Sequence, residues 1–186
     1  MDVERTESAA EEAIAATKMW LERAVIGLNL CPFAKAVHLD NRVLFRVSEA
    51  RSPEVLLEDL AVELRALEKA DPDQCETTLL IHPHVLGDFI DYNNFLDEAE
   101  AVADRLGLSG EIQVASFHPL YQFADTEPDD IENYTNRSPY PALHLLREAS
   151  VERAVAACSD PAMIYKDNIK TLRQLGHEGW RRLWLD

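Results

Sequence analysis

The sequence predicts an α/β protein: a single domain with a small mixed sheet, built from two consecutive βαβ crossovers plus an antiparallel strand, and covered by helices. Short apolar, β-branched segments alternate with longer segments of helical periodicity, which is typical of βαβ units. The 186 residues correspond to about one domain at roughly 150 residues per domain, so we expect residues 1–186 to form one unit. Hydrophobic residues make up 47% of the chain and charged residues 28%, proportions that favour a folded protein with a core.

Helical periodicity predicts one long N-terminal helix and two crossover helices. Residues 8–28 repeat apolar side chains at helical spacing, and Ser8 is the predicted N-cap. Ser52 and Pro53 predict the start of the first crossover helix, because serine caps a helix and proline suits its first position. The second crossover helix is predicted over residues 89–106.

Four short apolar segments are predicted strands: residues 43–47, 77–81, 112–117 and 143–147. The first three are connected by the crossover helices, so we expect them to be parallel, with their following loops at one edge of the sheet. Open α/β sheets bind ligands at that edge. Residues 118–141 are rich in aromatic and acidic side chains, and we expect a long ordered loop over this edge. The fourth strand would then start at that edge and run antiparallel.

Charge and hydropathy restrict the partners and the location. The chain has 18 Lys and Arg against 34 Asp and Glu, a net charge of −16, which disfavours nucleic acid and anionic membranes as partners. No apolar segment approaches the roughly 20 residues that span a bilayer, and the N-terminus lacks a signal-peptide pattern. The cysteines are few and odd in number (Cys31, Cys75 and Cys158), which argues against a disulfide framework. We therefore expect a cytoplasmic protein whose partner is a small molecule; the oligomeric state stays open.

Histidines lie at the predicted edge of the sheet. His82 and His84 follow the second strand, His118 follows the third, and His144 lies early in the fourth. Neutral imidazoles that converge at one edge are typical of transition-metal sites and of acid–base catalysis. We consider His82, His84 and His118 as ligands of a divalent metal, zinc or iron, with a water at the open position, and His118 and His144 as catalytic residues. The alternative is that these histidines donate hydrogen bonds to loop carbonyls and hold the strand ends.

Cys31 is a further catalytic candidate. If Pro32 begins a short helix, Cys31 is its N-cap, and the field of the helix lowers the pKa of the thiol. Ala34 occupies the position of the second cysteine in a Cys-x-x-Cys pair, which disfavours dithiol chemistry. Three interpretations stay open: a lone nucleophile, a metal thiolate, or a small buried hydrophobic residue.

Substrate-binding candidates lie in the long loop. Arg137, flanked by Asn136 and Ser138, offers a guanidinium that can hold a carboxylate or phosphate, and Tyr121 lies in the same loop. The same arginine can equally hold the acidic loop by an ion pair. The chain contains no G-x-x-x-x-G-K, G-x-G-x-x-G, G-x-S-x-G or H-E-x-x-H motif, which disfavours nucleotide-driven chemistry and serine hydrolysis.

Residues 27–34, 80–83, 117–119, 136–141 and 144–147 together resemble a mostly bacterial family, domain of unknown function 1415. The resemblance covers nearly the whole chain and implies one complete domain. It says nothing about the activity. From the residues alone we expect an enzyme that acts on a small polar or anionic molecule, hydrolase-like if a metal is bound. The alternatives are a metal- or ligand-binding module without turnover, a thiol-dependent enzyme using Cys31, and a structural protein with an exposed apolar patch.

Overall fold

The structure is a computed structural model that describes residues 2–156 and 161–185. Cys158 lies outside the described residues. In chain order the elements are α1 (Asp2–Trp20), a π-helical segment (Leu21–Ile26), α2 (Ala34–Leu39), β1 (Val43–Val47), α3 (Pro53–Lys69), β2 (Thr77–Ile81), α4 (Phe89–Arg105), β3 (Ile112–Phe117), a 3-10 helix (Ile131–Asn136), β4 (Ala142–Arg147), α5 (Glu148–Ala156) and α6 (Pro161–Arg182).

The strands form one four-stranded mixed sheet in the order β1-β2-β4-β3. β1 and β2 are parallel neighbours, and β4 is antiparallel to both β2 and β3. The predicted mixed α/β fold is confirmed. The second crossover leaves room for one strand between β2 and β3, and β4 fills it after the 118–141 loop. The strand ends that precede His82 and His118 are therefore separated by the start of β4.

Alternate side chains of the sheet enter two different cores. On one face, here the α3/α4 face, Leu80, Leu143 and Leu145 pack against the helices α3 and α4. On the other, the α1 face, Leu79 and Ile81 pack with Ala13 of α1. All of β2 is buried, as expected for a strand covered on both sides. The two faces separate the side chains of consecutive strand residues, and this alternation decides where each candidate site residue lies.

The helix starts show one confirmed prediction and one error. Ser52 accepts a hydrogen bond from the backbone N–H of Val55, and Pro53 occupies the first position of α3. The start predicted at Ser8 is wrong, because α1 begins at Asp2 and Ser8 lies inside it. Residues 2–7 contain neither proline nor glycine, so nothing in them stops the helix from extending towards the N-terminus.

The long loop contains the 3-10 helix and packs on α6. The ring centroids of Tyr134 and Trp180 are 5.0 Å apart in an edge-on arrangement. Ile131 packs in the same core cluster as Leu172 of α6. Across residues 2–156 and 161–185, no helix is both long and apolar enough to cross a membrane.

Candidate functional site

His82 and His118 lie on the same face of the sheet, on either side of Tyr92. Both histidines are 0% exposed. The ring centroid of Tyr92 lies 5.7 Å from that of His82 and 5.0 Å from that of His118. The Tyr92 hydroxyl donates to the carbonyl of Ala142 at 2.8 Å and accepts from the N–H of Phe117 at 3.2 Å. This tyrosine therefore joins α4 to the ends of β3 and β4.

Both ring nitrogens of His118 are used within the protein. The N–H of Leu120 donates to Nδ1 at 3.0 Å, so the proton of the neutral ring is on Nε2, which donates to the carbonyl of Leu86 at 3.1 Å. Burial is the main cause that lowers the pKa of His118, so the neutral ring is favoured. With no free lone pair, His118 has no nitrogen left for a metal or a substrate.

His82 has one unpaired nitrogen, but it is enclosed. Nδ1 donates to the carbonyl of Val85 at 3.1 Å, which leaves the lone pair of Nε2 without a partner. Burial, the largest cause, lowers the pKa of His82 to about 4. Because the ring has no contact with solvent, Nε2 is not accessible to a ligand in this conformation.

The predicted metal site is not assembled. His84 points to solvent, where Nε2 lies 3.4 Å from a carboxylate oxygen of Glu49. His82 is enclosed and His118 has no free lone pair, so the three imidazoles do not fit a shared ion. Among the residues that the structure describes, no group of three or more His, Cys, Asp or Glu side chains is arranged to hold a metal ion.

His144 lies on the α1 face, away from the other histidines. Its neighbours in β4, Leu143 and Leu145, point into the α3/α4 core, so His144 points to the opposite side. The grouping of His144 with His82 and His118 in one pocket is therefore not what the structure shows. Instead, its ring lies beside Phe117, with a centroid distance of 6.0 Å.

Thr77 fixes the tautomer of His144. The Thr77 hydroxyl donates its one proton to the carbonyl of Leu145 at 2.6 Å, so it accepts from Nε2–H of His144 at 2.7 Å. Nδ1 then carries the lone pair. Nδ1 has no hydrogen-bond partner among the described residues, and it is not one of their fully enclosed unpaired polar atoms, as Nε2 of His82 is.

The surroundings of His144 form a partly exposed surface, which we call the β3/β4 patch. Its members point to the α1 face from two adjacent strands and are half-buried or exposed: Gln113, Ala115, Phe117, His144 and Leu146. Protein atoms surround most of the His144 ring, although part of the side chain reaches solvent. This burial lowers the pKa of His144 to about 4, so the ring stays neutral at physiological pH.

Cys31 is half-buried and does not cap a helix. α2 begins at Ala34 with Phe33 as its N-cap, so the expected position of Cys31 at a helix N-terminus is wrong. Phe33 adopts a helix-like backbone conformation, and no side chain supplies a capping hydrogen bond. Cys31 packs against the same core cluster as Phe117, which places it on the α1 face with His144.

Arg137 holds the long loop together. Its Nε donates to the carbonyl of Tyr121 at 3.1 Å and its Nη2 to that of Pro128 at 2.6 Å, while the guanidinium lies 4.4 Å from the ring centroid of Tyr134. These partners are neutral. Among the described residues the ion pair to the acidic loop is made by Arg173, which lies 2.7 Å from Glu132, and not by Arg137.

The side chains of the other loop candidates also have partners within the protein. Asn136 donates to the carbonyl of Ser116 at 3.2 Å, and Ser138 donates to that of Tyr140 at 2.6 Å. The ring of Tyr121 packs between those of Phe89 and Phe123, at 5.2 and 5.0 Å. Their predicted substrate-binding role stays a prediction.

Comparison with known proteins identifies the family. Residues 12–182 match the model of a family described as protein of unknown function (DUF1415). The chain belongs to this family. No curated protein and no solved structure matches it. For this DUF1415 member, any assignment of function therefore depends on the geometry above.

The residues that sequence reasoning missed are Tyr92 and Thr77. Tyr92 lies on the helical stripe that continues with Phe95 and Ala99, which places it inward, and a buried hydroxyl needs a partner. That spacing was the available signal. Nothing in the sequence indicates that Thr77 pairs with His144, because the pairing depends on which strand lies beside β2.

Proposed function

We propose that the protein binds a small polar molecule on the β3/β4 patch, with Nδ1 of His144 accepting a hydrogen bond from the ligand. One observation carries this proposal: the proton of His144 is held on Nε2 by Thr77, which leaves Nδ1 of this half-buried residue without a protein partner among the described residues. His82 and His118 offer no accessible nitrogen, and their rings hold loops in place.

The patch also favours a particular kind of ligand. Ala115 and Leu146 supply apolar contact beside His144, and the half-buried ring of Phe117 supplies an aromatic surface. A molecule that fits these neighbours has a flat or apolar part and an O–H or N–H group directed at Nδ1. Gln113, which is exposed on the same face, offers a further amide for hydrogen bonding.

Binding is better supported than proton transfer. A general base is most effective when its pKa lies near the working pH, whereas the pKa of His144 is lowered to about 4. A neutral imidazole with a low pKa is a stable hydrogen-bond acceptor and a weak base. Catalysis by Cys31 is a second candidate, favoured by its position on the same face.

The proposal is tested first by the reactivity of the histidines towards diethyl pyrocarbonate, which acylates only neutral imidazole. At pH 5 an imidazole with a pKa of 6.5 is about 3% neutral and one with a pKa of 4 is about 90% neutral, a difference of about 30-fold. Mass spectrometry should therefore find His144 modified first at pH 5, with His82 and His118 protected by burial. If His144 is protected from the reagent as strongly as His82 and His118 are, its Nδ1 is not accessible and the proposal is refuted.

The second test looks for the ligand itself. Protein purified without a histidine tag is denatured, and the released small molecules are compared by mass spectrometry between the native chain, His144→Asn and His84→Asn. We expect a polar compound that is released by the native chain and His84→Asn but not by His144→Asn. Identical compounds from all three proteins would contradict binding at His144. Cys31→Ser is compared as a fourth protein, and loss of the compound in that variant alone would favour the thiol candidate.

A further inference from the structure

An open groove runs between the outer surfaces of α3 and α4, on the side away from the sheet. Two adjoining cavities of about 430 and 240 Å³ share Ala61 and Leu106 and run along the two helices. The lining residues of α3 extend from Leu57 to Lys69, which at 1.5 Å per residue is about 18 Å, or three turns of a helix.

The floor of this groove is apolar. Leu57, Ala61 and Val62 contribute from α3, and Leu106 contributes from the end of α4. Val62 is 64% exposed, although its neighbours on the inner side of α3 are fully buried. An apolar floor along two packed helices is a surface on which a further helix can bury its own apolar side chains.

Cations surround this floor. Arg65, Lys69 and Arg105 line the groove, and Glu58 is the one carboxylate among its lining residues. Arg65 pairs with Glu68 at 2.8 Å, whereas Lys69 and Arg105 form no ion pair within the part of the chain that the structure describes. The three cations still exceed the two carboxylates Glu58 and Glu68, so the local charge is opposite in sign to the net charge of −16 of the whole chain.

We propose that the α3/α4 groove binds an acidic amphipathic helix of another protein. A helix of about 12 residues matches its length, with apolar side chains at i, i+3 or i+4, and i+7 against the floor and carboxylates beside the three cations. Salt screens charges beyond about 8 Å at physiological ionic strength, so the cations of the groove and the nearby Glu58 and Glu68 set the local charge more than the distant acidic surface does.

Charge and shape decide between this occupant and two others. In a two-fold dimer the same patch meets itself, which would bring like cations together between two chains of net charge −16. The groove is also open along one side and does not enclose a small molecule, as ligand pockets usually do. A helix with an apolar face and an acidic face is complementary to the apolar floor and to the cations that form the rim of the groove.

The test uses the full chain and two synthetic helical peptides of 14 residues. Both peptides carry leucine along one stripe of the helix. At all the remaining positions the first peptide has glutamate and the second has lysine. In nuclear magnetic resonance titrations of the ¹⁵N-labelled protein, we expect saturable shifts on the outer faces of α3 and α4 with the glutamate peptide. Reversal of the rim charges, Arg65→Glu with Lys69→Glu and Arg105→Glu, should weaken binding by about tenfold or more.

Two matched variants separate the groove from general charge effects. Lys166→Glu changes an exposed cation of α6 and should leave the affinity unchanged, whereas Val62→Ser should weaken it. Far-ultraviolet circular dichroism checks that each variant is folded. The proposal is overturned if the glutamate peptide gives no saturable shifts, or if the lysine peptide binds the groove equally well. It is also overturned if sedimentation shows a dimer that Val62→Ser dissociates, because the occupant would then be a second copy.

Discussion

Acid should destabilise this protein through its buried histidines, and His82 gives the clearest case. Its ring is 0% exposed, and burial lowers its pKa to about 4 in the folded chain. The pKa of a histidine in an unfolded chain is about 6.5. Between these two values the unfolded chain binds a proton that the folded chain does not, so the free energy of unfolding decreases as the pH falls from 6.5 towards 4.

The size of this effect follows from the two pKa values. At pH 8 both forms are neutral and the contribution is close to zero. At pH 5 the linkage relation gives a loss of about 2 kcal/mol for His82 alone, rising to about 3.4 kcal/mol well below pH 4. His118 and His144 also have lowered pKa values from burial, so they contribute in the same direction.

The substitution His82→Asn isolates the contribution of His82 to the pH dependence of the free energy of unfolding. The asparagine amide can replace the Nδ1–H that donates to Val85, but it does not titrate. The variant is less stable than the native chain at every pH, because the ring beside Tyr92 is lost. Its loss of stability between pH 8 and pH 5, measured by urea unfolding, should nevertheless be about 2 kcal/mol smaller than that of the native chain.

The comparison removes the background of the many carboxylates, which titrate alike in both proteins. His84→Asn makes the same change at a solvent-exposed ring and serves as the matched control. If His82→Asn and the native chain lose the same free energy of unfolding between pH 8 and pH 5, the reasoning about a neutral buried His82 is refuted.

Three further predictions concern stability and are measured by urea unfolding at pH 7.5. Ser52→Ala removes the N-cap of α3 and should cost about 1 kcal/mol, whereas a cost near zero would show that the cap contributes nothing. Tyr92→Phe leaves the carbonyl of Ala142 and the N–H of Phe117 without their shared partner and should cost about 1–3 kcal/mol. Leu64→Ala removes a fully buried side chain of α3 and should cost about 2–5 kcal/mol; a cost below 1 kcal/mol would contradict its place in the core.

Most of the fold could be predicted because local signals agree with the tertiary structure. The strand over 112–117 and the start of α3 at Ser52 follow from β-branched composition and from capping chemistry. The position of β4 between β2 and β3 could not be predicted, since strand order depends on long-range pairing. The true start of α1 was also missed, because a sequence that resembles a cap does not stop a helix whose preceding residues are good helix formers.

The candidate site was harder to predict than the fold because a sheet has two faces. His82 and His118 were correctly expected at the carboxyl ends of parallel strands, and the structure places both beside Tyr92. The direction of His144 depends on the alternation within β4, which is readable from its flanking leucines. Which face of β4 matches which face of β2 is fixed only by the register, with Leu79 opposite His144.

A histidine can act on a ligand only if the nitrogen left over from its structural hydrogen bond is accessible. His118 has no such nitrogen, and that of His82 is enclosed. His144 uses Nε2 towards Thr77 and leaves Nδ1 without a partner among the described residues, although no sequence signal distinguishes this histidine from the others. Thr77→Val should therefore release the ring from its single tautomer, which ¹⁵N shifts of the imidazole would detect. If the shifts of His144 are the same with and without the threonine hydroxyl, Thr77 does not set the tautomer, and the argument for an open Nδ1 fails.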